Sequence, residues 1–107
     1  MAWRVQGDNL TIVEGDYGLE LPVTVTGTTF TLNDTIRITF KRVKNGDAIL
    51  VKEYTPDNKG TVNLELTEAE SALFMVGTYV YCLDWYQDGA FMCNIIPAGT
   101  FKVVDKA

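Results

Sequence analysis

Alternation of apolar and polar residues is the feature that most constrains this chain. The segment TIRITFKR places Ile36, Ile38 and Phe40 on one side of an extended strand, with charged and hydroxyl side chains on the other. A period of two is typical of an antiparallel strand that has one face in a core and the other in water. The chain is therefore predicted to be built from strands.

The same alternation recurs in LELPVTV, where Leu19, Leu21, Val23 and Val25 share a face, and in TVNLEL. Pro22 cannot donate a ladder hydrogen bond, so an edge strand or a bulge is expected there. Glycine, aspartate and asparagine turns separate the remaining apolar segments. The further strands predicted from those segments are 10–13, 48–54, 78–86, 90–95 and 100–104. About eight short strands at this spacing indicate a sandwich or a barrel.

Residues 67–75 break the alternation. Thr67 can cap a helix, and Glu70 follows it three residues later, which is the capping-box pattern. Gly77 can end such a helix. One or two helical turns are predicted, crossing between two sheets.

The length of 107 residues corresponds to one domain that is large enough to bury a core. The prediction is a single domain over residues 1–107. Its fold class is all-β, an immunoglobulin-like antiparallel β-sandwich of about eight strands with one short helical crossover near residues 67–75.

The charge pattern argues against nucleic acids and membranes as partners. The net charge is −5, and the basic residues are scattered rather than gathered into a stripe. The first residues, MAWRVQGDNL, lack the apolar core of a signal peptide, and no apolar run is long enough to span a bilayer. Synthesis in a cytoplasm without export is expected.

Catalysis is not expected either. The sequence has no histidine, no glycine-rich phosphate loop and no Cys-x-x-Cys pair. Turn carboxylates such as Asp16 and Asp57 could offer oxygen ligands to calcium, but no Asp-x-Asp-x-Asp series accompanies them. The prediction is no enzyme, with no catalytic, cofactor-binding or metal-binding residues and no cofactor.

The segment GTYVYCLDWYQDGAFMCN is predicted to be a hairpin that carries both cysteines. A turn centred on Gln87 and Asp88 would place Cys82 opposite Cys93. A type I turn with a bulge at Gly89 would put the thiols on opposite faces, and an Asp88-Gly89 turn would place them diagonally on one face. The bulged turn is favoured, and two free thiols are favoured over a disulfide.

The first strand of this hairpin is apolar on both faces. A sandwich covers only one face of each sheet, so the second face is a candidate protein interface. The residues predicted to form it are Val80, Cys82, Tyr86, Phe91 and Met92.

The hairpin differs from the cysteine strand of antibody domains, because Cys93 follows Cys82 instead of preceding it and Trp85 lies after Cys82. The segments IVEGDYGLELPVTV and LTEAESALFMVGTYVYCLDWYQDG instead resemble the N-terminal β-sandwich of baseplate upper proteins and related tail modules of phages of Gram-positive bacteria. The resemblance extends over residues 10–104, although Cys82 stands where that family usually has Asp.

This resemblance implies a non-enzymatic structural or assembly module of a phage or prophage tail or baseplate. The implied partners are other tail or baseplate proteins or a second copy in a homo-oligomer, and the implied location is the virion, assembled in the bacterial cytoplasm. The alternative is a carbohydrate-binding or cell-surface adhesion module, for which Trp3, Trp85 and Tyr86 would be the aromatic stacking surfaces.

Overall fold

The computed structural model describes residues 3–26 and 30–105. Residues 1, 2, 27–29, 106 and 107 of the predicted domain lie outside the described residues. The elements in chain order are β1 (Arg4–Gln6), β2 (Asn9–Val13), β3 (Leu21–Thr24), β4 (Asp34–Lys41), β5 (Ala48–Tyr54), β6 (Thr61–Leu64), α1 (Glu68–Ser71), β7 (Gly77–Gln87) and β8 (Ala90–Val104). The all-β prediction is confirmed, as is the helical break within residues 67–75.

The strands form a large sheet and a small one. The large sheet has the order β1-β2-β8-β7-β4-β5, and β3 pairs with β6 in the small sheet. The prediction of purely antiparallel pairing is wrong, because β2 and β8 run parallel. Alternation shows which face of a strand is buried but not the direction of its neighbour.

The core contains side chains from both sheets. Ile36, Ile38 and Phe40 of β4 are buried as predicted, and Val62 and Leu64 of β6 are buried with them. Partly buried side chains of β3 pack against this cluster. Each fully buried side chain of this size stabilises the fold by roughly 1.5–3 kcal/mol.

Aromatic rings fill one region of this core. Phe40 and Phe101 are fully buried, with ring centroids 4.9 Å apart, and Phe74 packs edge-on against both. Phe74 lies between α1 and β7, so the connection between the sheets contributes to the packing.

β3 is an edge strand, as Pro22 predicted. Within the described part of the chain β3 pairs only with β6. The N–H of Val25 donates to Gly60 O, so the odd-numbered residues of this segment direct their N–H groups towards the β6 side. Because neighbouring residues of a strand point their N–H groups in opposite directions, Pro22 occupies the free edge, where no ladder donor is lost.

α1 has the predicted capping box. Thr67 Oγ1 accepts from the Glu70 N–H at 3.2 Å, and Glu70 Oε1 accepts from the Thr67 N–H at 2.8 Å. Lys52 Nζ of β5 lies 2.8 Å from the same Glu70 oxygen and also donates to Glu65 O. α1 therefore connects β6 of the small sheet to β7 of the large sheet and is held against β5.

The two strands predicted at 90–95 and 100–104 are one continuous strand, β8. Its register against β7 shifts three times: Tyr81 pairs with Gly99, but Leu83 pairs with Ile96, and two further shifts follow towards the turn. Bulges of this kind absorb extra residues without ending a strand. Pro97 and Gly99 lie in this irregular part, which explains why the sequence suggested a break. The structure also has one strand that the sequence pattern does not predict, β1, which is short and exposed.

Candidate functional site

The predicted interface residues on β7 lie on the outer face of the large sheet. Val80 pairs with Lys41 and Thr100, and Tyr86 pairs with Phe91. Val80, Cys82 and Tyr86 are half-buried, whereas Phe91 and Met92 are 53% and 44% exposed. The two hairpin arms thus bring Tyr86 and Phe91 together, and the exposed apolar area lies mainly on β8.

Arg37 covers part of the Tyr86 side chain, a contact that the strand pattern does not predict. Its guanidinium carbon lies 4.1 Å from the centre of the Tyr86 ring, and Nη1 donates to Tyr86 Oη at 2.8 Å. Nε and Nη2 of Arg37 lie 2.9 and 2.7 Å from Glu53 Oε2. The rings of Tyr86 and Phe91 form a T-shaped pair with centroids 5.6 Å apart, and Tyr86 also presents part of a ring face to a cation.

A row of polar side chains crosses the outer face. It separates Val80 and Cys82 from the Tyr86–Phe91 pair. Cross-strand pairing sets Asn94 opposite Asp84, Asp84 opposite Arg37 and Arg37 opposite Glu53. Asn94 Nδ2 donates to Asp84 Oδ1. The outer face thus carries aromatic groups beside a row of polar side chains that are hydrogen-bonded to one another. The signal for this row was the occurrence of charged residues at outward positions of separate strands, but their mutual register could not be inferred.

The hairpin turn is the two-residue Asp88-Gly89 form, with φ of 52° and 81° and with Gln87 paired to Ala90. The favoured bulged turn is therefore wrong. Positive φ at both central residues matches the twist of the flanking strands, which favours this turn.

The cysteines point to opposite faces for a different reason. A register shift within β8 places Cys93 opposite Trp85, which lies on the other face from Cys82. Both are free thiols, and the Cys82 thiol donates to Pro97 O at 3.2 Å. The Cys82 thiol thus bridges β7 to the irregular segment of β8.

The aromatic residues proposed to stack on sugars are already engaged by other groups. Trp3 is buried, packs on Phe101 and donates from Nε1 to Leu19 O at 2.9 Å. Trp85 contacts Phe30 edge-on with centroids 5.5 Å apart. Arg37 lies over the ring of Tyr86, so each of the three rings has a neighbour within the protein. The sugar-binding alternative stays a prediction.

A second feature is an apolar groove between the two sheets, with a volume of about 390 Å³. All eight strands and the β1–β2 turn contribute to its lining. The lining residues are Val5, Gly7, Leu10, Leu21, Pro22, Val23, Ile38, Tyr54, Val62, Leu64, Tyr81, Leu83 and Ile96. Val5, Gly7 and Pro22 are exposed and mark its mouth. We refer to this feature as the intersheet groove.

The two hydroxyl groups in the intersheet groove already have partners. Tyr81 Oη donates to Asp8 O at 2.7 Å, and Tyr54 Oη lies 3.4 Å from both the N and the O of Glu65. Burial, with a smaller contribution from Asp8, raises the pKa of Tyr81 to about 12.

The carboxylate of Asp57 accepts hydrogen bonds from the backbone of its own turn. Asp57 Oδ1 accepts from the N–H groups of Thr61 and Lys59 at 2.9 and 2.8 Å, and these bonds lower the pKa of Asp57. Among residues 3–26 and 30–105, no three histidine, cysteine or acidic side chains are grouped so as to hold a metal ion. Over the same residues, no helix has the length and apolar character needed to cross a membrane.

Comparison of the chain with protein-family models, with curated proteins and with solved structures finds no significant match. The resemblance to phage tail modules therefore stays a prediction that depends on the sequence motifs.

Proposed function

We propose that this protein is a non-enzymatic structural or assembly module of a phage or prophage tail or baseplate, and that it acts through protein–protein contacts. The observation that carries the proposal is the apolar surface of the β7–β8 hairpin, where exposed Phe91 packs against half-buried Tyr86 and the next residue, Met92, is exposed at the register shift. The partner is a neighbouring tail protein or a second copy of the chain.

The outer face supplies the parts that such a contact needs. Aromatic residues contribute most of the binding energy in many interfaces, particularly when polar groups surround them. Phe91 is the aromatic anchor, and the Arg37–Glu53 pair provides a polar border that is already hydrogen-bonded in the free protein. Little rearrangement is required, because Tyr86 is held by Arg37 before any partner arrives.

We further propose that the fold is an immunoglobulin-like sandwich. Two sheets share one core, and a capped helical corner leads into a strand that begins Gly-x-Tyr. The uneven division into six and two strands and the parallel β2–β8 pair are departures from the usual seven-stranded arrangement.

Sedimentation velocity over a wide concentration range tests the contact, with Met92→Ser compared with Met75→Ser. Met75 is the matched control, since it is 72% exposed and lies in the α1–β7 connection away from the hairpin. Self-association of the unmodified protein should weaken about tenfold in Met92→Ser, equivalent to about 1.4 kcal/mol, and remain unchanged in Met75→Ser. A strict monomer at high concentration, or equal effects of both substitutions, would contradict contact through this face between copies of the chain.

The assignment to a tail needs a separate test. Antibody against the protein should label tail particles released from the producing bacterium in immunogold electron microscopy. Flanking tail, lysin or holin genes should accompany its gene. Labelling confined to the cell surface would instead support the adhesion alternative.

A further inference from the structure

The intersheet groove is a feature that the proposed assembly role does not use. Its volume of about 390 Å³ lies in the range of small-molecule sites, roughly 300–1,000 Å³. We propose that it binds one uncharged, mainly hydrocarbon molecule of the acyl-chain class, which enters past Val5, Gly7 and Pro22.

The chemistry of the lining excludes a polar or charged ligand from the interior of the groove. None of the described residues that line it carries a charge. The hydroxyl of Tyr81 is committed to Asp8, and that of Tyr54 lies between the N and O of Glu65. Because the hydroxyl hydrogen of Tyr81 is already donated, a ligand carbonyl or carboxylate buried beside it would find no donor there, which is costly. Any polar end of the ligand must remain at the mouth.

Ordered water is a poor occupant of the groove. An ordered water in a protein interior needs two to four polar partners, and the groove offers side chains of Leu, Val and Ile instead. An apolar molecule gains from the same surface, because its burial removes hydrocarbon from water on both sides.

A polypeptide strand is a poorer occupant than a small molecule. The groove borders the free edge of β3, and an added strand would need donors along that edge. Pro22 lies at this edge and has no N–H, while the N–H of Val25, in the segment that follows β3, is directed to Gly60 on the opposite side. The free edge of β3 thus lacks one ladder donor, at Pro22, which weakens the addition of a strand there and favours an occupant that makes no backbone hydrogen bonds.

The test uses N-phenyl-1-naphthylamine, an uncharged apolar probe whose fluorescence rises on transfer from water. The unmodified protein should show saturable enhancement with a stoichiometry of one. Val23→Phe, which adds volume inside the groove, should weaken probe binding at least tenfold. Val51→Phe is the matched control, because it makes the same change on an exposed residue of β5 outside the groove, and it should bind normally.

Thermal unfolding and mass spectrometry complete the experiment. If Val23→Phe is unfolded by circular dichroism, Leu21→Phe replaces it as the filling variant. Organic extracts of the purified protein should contain an apolar compound that is depleted in the filling variant and present in Val51→Phe. The proposal is overturned if the probe shows no saturable binding, or if the filling variant and Val51→Phe bind it equally. It is also overturned if the filling variant changes only the oligomeric state.

Discussion

The indole Nε1 of Trp85 donates a 2.8 Å hydrogen bond to Oδ1 of Asp34, a carboxylate with no exposed surface. The other carboxylate oxygen accepts from the Thr31 N–H at 2.6 Å, and it is this bond above all that lowers the pKa of Asp34 despite its burial. Asp34 thus ties the start of β4 to β7 and to the loop that precedes β4.

The Asp34 network should make stability depend on acid pH. Because the pKa in the folded state lies below the ordinary value of 3.8, the ionised carboxylate stabilises the fold above that value. That stabilisation is lost as the pH falls through the folded-state pKa. Asp34→Asn should lower the free energy of unfolding at pH 7 by about 2 kcal/mol and flatten the acid side of the profile, below the ordinary pKa of 3.8. Urea titrations at a series of pH values measure this, and the exposed Asp47→Asn is the control.

Alkaline pH should weaken the fold through Tyr81. Its pKa of about 12 in the folded state exceeds the ordinary value of 10. The unfolded chain therefore releases the proton first, and stability falls as the pH rises from 10 to 12. Absorbance titration near 295 nm should show one tyrosine ionising last, and Tyr81→Phe should remove that step. Disappearance of the same step in Tyr54→Phe would show that the late proton belongs to another residue.

Gly99→Ala should be among the most destabilising small substitutions in the chain. A Cβ at this position would lie 2.3 Å from Cε1 of Tyr81 and 2.8 Å from Asp8 O. Overpacking of this kind costs about 1–3 kcal/mol, and Tyr81 cannot move away without losing its bond to Asp8. Chemical denaturation measures the change. Gly15→Ala is the comparison, because Gly15 has φ of 86° but open space around it, so only backbone strain operates there.

Replacing Glu70 should lower the free energy of unfolding more than replacing Glu68. Glu70 Oε1 accepts from both Thr67 N–H and Lys52 Nζ, so Glu70→Ala removes half of the capping box and the tie to β5. A loss of about 1–2 kcal/mol is expected. Glu68→Ala, in the same helical turn, should change the free energy of unfolding by less than about 0.5 kcal/mol. Equal losses would mean that helix propensity and not the specific contacts decides.

The sequence predicted those parts of the fold that depend on local pattern. The burial of Ile36, Ile38 and Phe40 follows from alternation, and the cap at Thr67 follows from the spacing to Glu70. Both features are set within a few residues of chain, where propensity and capping act directly.

The pairing register of the strands could not be predicted from the sequence, and both candidate sites depend on that register. Three shifts within β8 determine that Tyr86 lies beside Phe91 and that Cys93 lies opposite Trp85. The contact of Arg37 with Tyr86 joins residues far apart in the sequence, and the intersheet groove depends on how much of the large sheet β3 and β6 cover. Such features follow from tertiary packing, which alternation does not encode.

The parallel pairing of β2 with β8 has a kinetic consequence. Residues 14–89 separate β2 from its partner β8, so the β1–β2 side of the large sheet cannot join the rest until β8 has left the ribosome. Contacts of such long sequence separation also make refolding slow, on a timescale of roughly milliseconds to seconds. Until β8 arrives, the apolar residues Leu10 and Ile12 remain open to other chains. A nascent copy is therefore most vulnerable to aggregation in the interval between the synthesis of β2 and that of β8.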